Sequence, residues 1–161
     1  MSAVHTTLPL RAAMEARDRR AAVAAFAEDA VLRSPFTDNL AFEGREQIGP
    51  LIAVIFDVLT DLAYTDELHG DRSAVLVGHA RVDGVPLTFT DHLKLRDDGL
   101  IQEMTVFFRP LPATTAAMRR FGERLGRHQS AARGRLVSTI VAPLALMTRT
   151  GDKLGVRLLR P

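Results

Sequence analysis

The sequence predicts an α+β domain: a curved antiparallel sheet wrapped on N-terminal helices, forming a cone with an apolar pocket, followed by a C-terminal helical extension. Three observations carry this. Helical periodicity dominates the first third of the chain, and from Leu62 the apolar period drops from 3.6 toward 2. The connections after Leu62 are turn-like: Gly70-Asp71, Asp83-Gly84 and Asp97-Asp98-Gly99. Helices followed by a meander leave one sheet face to be covered by those helices.

Residues 9–27 read as helix. Pro9 suits the first helical position, and Leu10, Ala13, Met14 and Arg17 share a stripe. Asp18 reads as a cap or turn, after which Val23 and Phe26 point inward. The stretch AEDA closes a turn, and Ala30 to Ser34 is a short strand ended by Pro35. A short strand at Leu40–Glu43 lies in the loop before Gly44. Arg45 to Leu59 is a second long helix, with Ile48, Leu51, Ile52, Ile55 and Leu59 on one face. Pro50 predicts a late start or a kink there. Leu62–His69, Ser73–Val82, Val85–Leu95 and Leu100–Arg109 read as four strands, and Asp83-Gly84 as a tight hairpin turn. Pro110 and Pro112 end the last strand, and Ala113 to Leu125 forms a helix with Met118 and Phe121 as its larger apolar residues.

The 161 residues fit one domain with an extension, 1–127 and 128–161. No Cys is present, which removes disulfides, thiolate zinc sites and Cys nucleophiles. No two His have metal-ligand spacing, so no metal is expected. His5, His69 and His128 are scattered in loops or termini. Neither a phosphate loop, a dinucleotide fingerprint nor a nucleophile elbow occurs, so no cofactor is expected. Charge is uneven. Residues 1–127 carry 15 Lys/Arg and 18 Asp/Glu, a net of −3, which argues against a nucleic-acid partner. Residues 128–161 carry Arg133, Arg135, Arg149, Lys153, Arg157 and Arg160 against Asp152 alone, a net of +5. Within them Leu136, Val137, Ile140, Val141, Leu144 and Met147 form a helical apolar stripe kinked at Pro143, and Leu154 to Leu159 forms a second amphipathic piece. Three readings of this tail stand: a cover over the acidic body or pocket mouth, a dimer arm, or contact with a membrane surface. The N-terminus lacks the apolar core of a signal peptide, and the expected location is cytoplasmic.

The strand Val85–Leu95 holds the most informative residue. Leu87, Phe89, Asp91, Leu93 and Leu95 share a face, so one carboxyl sits among apolar side chains. Desolvation raises the pKa of such a group. Protonated, it donates a hydrogen bond to a carbonyl or enolate oxygen; ionised, it serves as a base. Asp91 is therefore the catalytic candidate, the plainer reading being an Asp bonded to Arg17 or a backbone amide. The neighbouring strand offers Leu76, Gly78 and Ala80 inward, whose small members leave space for a ligand, while His79 and His92 point away. Tyr64 and Asp66, between Leu62 and Leu68, are further pocket candidates. On the last strand Met104, Val106 and Phe108 share one face and Glu103, Thr105, Phe107 and Arg109 the other. Both faces carry large apolar groups, so both are covered, one by the pocket and the other by a partner.

The runs AAFAEDAVLRSPF and FEGREQIGPLI, with GVPLTFTDHLKLRDDGLIQEMTVFFRP, resemble the nuclear transport factor 2-like superfamily over residues 8–126. Within it the chain is similar to SnoaL-like and ketosteroid-isomerase-like bacterial proteins. The resemblance implies a cystatin-like cone of three helices and a curved sheet, and a homodimer through the outer sheet face. It implies that Leu10, Met14, Arg17, Ser34, Phe36, Tyr64, Leu76, Gly78, Phe89, Met104, Val106 and Phe108 surround a small hydrophobic molecule, with Asp91 in the place of the oxyanion-binding carboxyl. The family's general base falls at Ser34 and its oxyanion Tyr near Leu10, and neither residue can serve. The resemblance thus implies a SnoaL-like cyclase or isomerase using Asp91 rather than a ketosteroid isomerase. The alternatives are a non-catalytic ligand-binding or dimeric module, a membrane-associated accessory protein working through the tail, and an epoxide-hydrolase-like enzyme built on Arg17, Asp91 and Asp38 or Asp66.

Overall fold

The computed structural model describes residues 8–129 and, beyond them, residues 139, 141–144, 146–148 and 150–151, which are helical. The expectations for Leu136, Val137, Ile140 and Leu154 to Leu159 lie outside the described residues.

The elements run α1 (Pro9–Glu15), α2 (Arg19–Ala24), β1 (Phe26–Arg33), β2 (Ala41–Glu43), α3 (Gly44–Val58), β3 (Thr60–His69), β4 (Ser73–Val82), β5 (Val85–Leu95), β6 (Ile101–Arg109) and α4 (Leu111–Gln129). Asp18 separates α1 from α2 by accepting the Ala21 N–H at 2.9 Å. The second helix stops at Ala24 and β1 begins at Phe26, earlier than the acidic pair suggests. Glu28 and Asp29 sit on the exposed edge of a register irregularity between Phe26 and Val31, so what reads as a turn is a bulged strand. α3 runs unbroken through Pro50, so the late start is not needed. Both Glu46 and Pro50 are exposed, on the side of the helix where a missing i→i−4 hydrogen bond is least costly.

The six strands form one open sheet in the order β2-β1-β6-β5-β4-β3. The β3–β6 meander is antiparallel, whereas β1 lies parallel to β6, so the sheet is mixed rather than wholly antiparallel. Its inner face meets the helices, and the core joins Leu10 and Met14 of α1, Ile48 and Ile52 of α3, Leu76, Leu87, Leu93 and Ile101 of the strands, and Phe121 of α4. Among the described residues no helix is long and apolar enough to cross a membrane.

Asp83 and Gly84 both take positive φ (50° and 74°), as a two-residue hairpin turn of the primed type requires. The Asp83 carboxylate also reaches α4, meeting Arg120 at 2.8 Å and Arg119 at 2.9 Å. The hydrogen bond from Arg120 holds its carboxyl below the usual range. That stabilisation is present above the unfolded carboxyl pKa and is lost as pH falls. Asn tolerates the same backbone conformation. Asp83→Asn therefore lowers stability by only about 0.5–1 kcal/mol at neutral pH, an effect that fades in high salt. Urea unfolding at two ionic strengths checks this.

Candidate functional site

Asp91 lies in the middle of β5, opposite Leu76 of β4 and Val106 of β6. It is 3% exposed. The partner of its carboxyl is the Tyr64 hydroxyl, which donates to Oδ2 at 3.3 Å. Burial pushes the Asp91 pKa up to about 7, against the opposing effect of the Tyr64 hydrogen bond. Burial and the neighbouring Asp91 charge push the Tyr64 phenol well above its ordinary value. At neutral pH the Tyr64 phenol therefore keeps its proton, and Asp91 divides between acid and carboxylate.

Tyr64 reaches Asp91 because of a fault in β3. Tyr64 pairs with Gly78, but Asp66 pairs with Val77, so one extra residue is inserted. Before the bulge Tyr64 faces inward; after it Asp66 and Leu68 turn outward and Glu67 and His69 turn inward. Asp66 is therefore not a pocket residue. Glu67, unmarked by the alternation, accepts the Leu8 N–H at 2.7 Å and contacts His69 Nε2 at 2.9 Å and Arg11 at 3.5 Å, tying α1 to β3.

Beside this pair, a cavity of about 220 Å³ opens between β1, β6, α3 and α4. Leu32, Phe36, Leu51, Ile55, Val106, Phe108, Phe121 and Leu125 make its walls, with Ser34 and Thr37 as its hydroxyl-bearing members. The Phe36 ring meets Phe108 edge-on at 5.6 Å and Phe121 at 5.8 Å. Ser34, Phe36, Val106 and Phe108, expected at the pocket, line this cavity. Its helical wall was not expected there. Leu51 and Ile55 lie four apart on α3, and Met118, Phe121, Gly122 and Leu125 fall on one stripe of α4. That spacing identifies the inward stripe of each helix without saying what it faces.

The remaining candidates do not line the cavity. Leu10, Met14, Leu76 and Met104 are packed into the core. Gly78 offers no ligand space, because the Phe89 ring lies over it and Tyr64 meets that ring edge-on at 5.2 Å. Arg17 is exposed and turned to α3: it donates to the Phe56 and Leu59 carbonyls and sits over the Phe56 ring at 5.1 Å. An Arg at a helix C-terminus answers its free carbonyls and the negative end of its dipole. Arg17 is thus not the partner of Asp91. With Asp38 and Asp66 also exposed, the residues of an epoxide-hydrolase-like arrangement are not brought together. Among the described residues no cluster of His, Asp and Glu is arranged to hold a metal ion.

Asp91 itself is one strand inside the cavity wall. Its register partner Val106 lines the cavity, as does Phe108, the partner of Phe89. A buried carboxyl with a pKa near neutrality therefore lies on the strand next to the chamber's β6 wall without itself lining the chamber.

Comparison with solved structures places this arrangement among known proteins. A steroid delta-isomerase from Pseudomonas aeruginosa superposes with a TM-score of 0.68 at 29% identity, over 74% of this chain and 88% of that one. A conserved bacterial protein with a cystatin-like fold from Silicibacter pomeroyi gives 0.73 at 19% identity, over 84% and 96%. An NTF2-like protein of unknown function from Cytophaga hutchinsonii gives 0.53 at 19% identity, over 70% and 97%. The comparison with curated proteins gives no match. The SnoaL-like domain model matches residues 10–104, which carry α1 through the first four residues of β6 and include both Asp91 and Tyr64. On that match and on the shared architecture, the chain belongs to the SnoaL-like domain family.

Proposed function

We propose that this chain binds a small, largely apolar molecule in the chamber between β6 and α4. The observation that carries this is the chamber itself, about 220 Å³ and walled by Leu, Ile, Val and Phe side chains. Size narrows the ligand. An apolar cavity of about 150 Å³ accommodates benzene, so this volume suits one ring or a compact two-ring molecule and is small for a four-ring steroid. Ser34 Oγ and Thr37 Oγ1 accept the Phe36 and Asn39 N–H groups at 3.1 Å, so the chamber offers almost no polar surface and selects an apolar ligand.

The test is a thermal-shift screen of phenols, small aromatic ketones, terpene epoxides, steroids and fatty acids against the parent and Val106→Phe. A ligand at about 100 times its Kd adds about 2.7 kcal/mol of stability. One-ring compounds are expected to stabilise the parent, and Val106→Phe, which fills the chamber from its floor, is expected to abolish the shift. Stabilisation that survives in Val106→Phe would place binding elsewhere.

A second reading is favoured by Asp91. In this reading the bound molecule is isomerised or cyclised, with Asp91 as acid/base. As carboxylate it takes a proton from a carbon already acidified by a neighbouring carbonyl; as acid it returns that proton or donates to the developing enolate oxygen. A pKa of about 7 makes both forms available at neutral pH. Tyr64 then holds the carboxyl in one rotamer. Phe107, Leu68, Val75 and Val77 on the outer sheet face support pairing of two copies through that face.

A further inference from the structure

The C-terminal helical segment leaves its large apolar side chains exposed, with Leu146 and Ala142 at the rim of a cleft against Pro112 and Ala116 of α4. Its rotation is fixed by Thr148, whose Oγ1 lies 2.8 Å from Thr115 Oγ1 of α4. Val141 and Thr148, seven residues apart and so on one stripe, are half-buried. The larger apolar side chains lie elsewhere on the helix: Leu144 is 45% exposed, Leu146 68% and Met147 70%. Leu111, one turn before Thr115 on α4, is also 62% exposed. A segment packed into the chamber or the core would bury these residues.

Charge identifies what covers this surface. Residues 128–161 carry six Lys/Arg against one Asp, while residues 1–127 are net negative. A helix with exposed Leu and Met, flanked by basic residues on an otherwise acidic protein, matches the interface of an anionic bilayer. There the apolar side chains enter the acyl boundary and the cations meet lipid phosphates. We propose that the C-terminal segment is an interfacial anchor for an anionic membrane surface, seated through Leu144, Leu146 and Met147. It lies in the plane of the headgroups and does not span.

Vesicle flotation of the full chain tests this. The parent is expected to float with vesicles of phosphatidylcholine and phosphatidylglycerol and to stay behind with phosphatidylcholine alone, and added salt is expected to weaken the binding. The triple variant Leu144→Ser, Leu146→Ser, Met147→Ser is expected to lower partitioning at least about tenfold. Its circular dichroism should stay that of the parent, because the three side chains are exposed. Arg149→Gln with Lys153→Gln and Arg157→Gln is expected to remove the preference for the anionic lipid. The proposal is overturned if the parent does not float with anionic vesicles, floats equally with neutral ones, or floats unchanged in the triple variant. It is also overturned if light scattering shows these three residues joining two copies while vesicle binding is absent.

Discussion

Asp91→Asn is expected to stabilise the protein by roughly 4 kcal/mol at pH 8 to 9 and to leave it nearly unchanged near pH 4. The sign follows from the raised pKa. In the unfolded chain Asp91 ionises near 3.8; in the fold, burial raises its pKa to about 7. Between those values the folded protein binds more protons than the unfolded one, so stability falls as pH rises. The slope is about 1.4 kcal/mol per pH unit, and the loss levels off once both states are ionised. The Asn amide keeps the shape and a hydrogen-bonding partner for Tyr64 but cannot ionise. Urea unfolding from pH 4 to 9 should therefore show a falling curve for the parent and a flat contribution from residue 91 in the variant. Tyr64→Phe should move the parent's midpoint higher, since the lost hydrogen bond favours the carboxylate. Parallel curves for parent and Asp91→Asn would mean that Asp91 is ionised in the fold, and the acid/base reading would lose its basis. In the acid/base reading, the stability given up by keeping a carboxyl rather than an amide at this position is the cost of a titratable proton.

Gly78→Ala should cost about 2–4 kcal/mol, a large effect for one methyl group. A Cβ at this position would lie 2.5 Å from Cζ of Phe89 and 2.6 Å from the Ala63 carbonyl oxygen. The ring can tilt, but the carbonyl belongs to the β3 backbone next to the bulge. The companion variant Phe89→Leu should therefore restore only part of the loss when combined with Gly78→Ala. Thermal unfolding of the two single variants and the double variant measures the coupling. Full restoration would mean that only the ring is in the way; no loss at all would mean that β3 and β4 separate freely here. Because Tyr64 packs on Phe89, the same substitution is expected to disturb the Tyr64–Asp91 hydrogen bond.

The sequence made the frame legible wherever one face of an element was apolar and the other polar. The β3–β6 meander and the inward stripe of α3 follow from Leu87, Phe89, Leu93, Leu51 and Ile55 at their proper periods. Two kinds of feature were hidden. The β1–β6 pairing is long-range and leaves no local periodicity, so the mixed character of the sheet could not be read. The β3 bulge breaks alternation after Tyr64, so Asp66, expected inward, is exposed and Glu67 turns inward instead. Asp91 stood out because a carboxyl interrupts an apolar face. That its companion is Tyr64 rather than Arg17 required the bulge to be seen. The space expected at Gly78 was filled by Phe89 because a missing side chain on one strand is an invitation to a ring on the next.

The pairing of β1 with β6 also sets an order of events at the ribosome. Phe26 emerges 75 residues ahead of Ile101, its register partner. Until β6 is synthesised, β1 can form a ladder only with the short β2, and the chamber lacks the side made by Val106 and Phe108. The chamber thus has no existence in a nascent chain that stops before Arg109, and its last side arrives with α4.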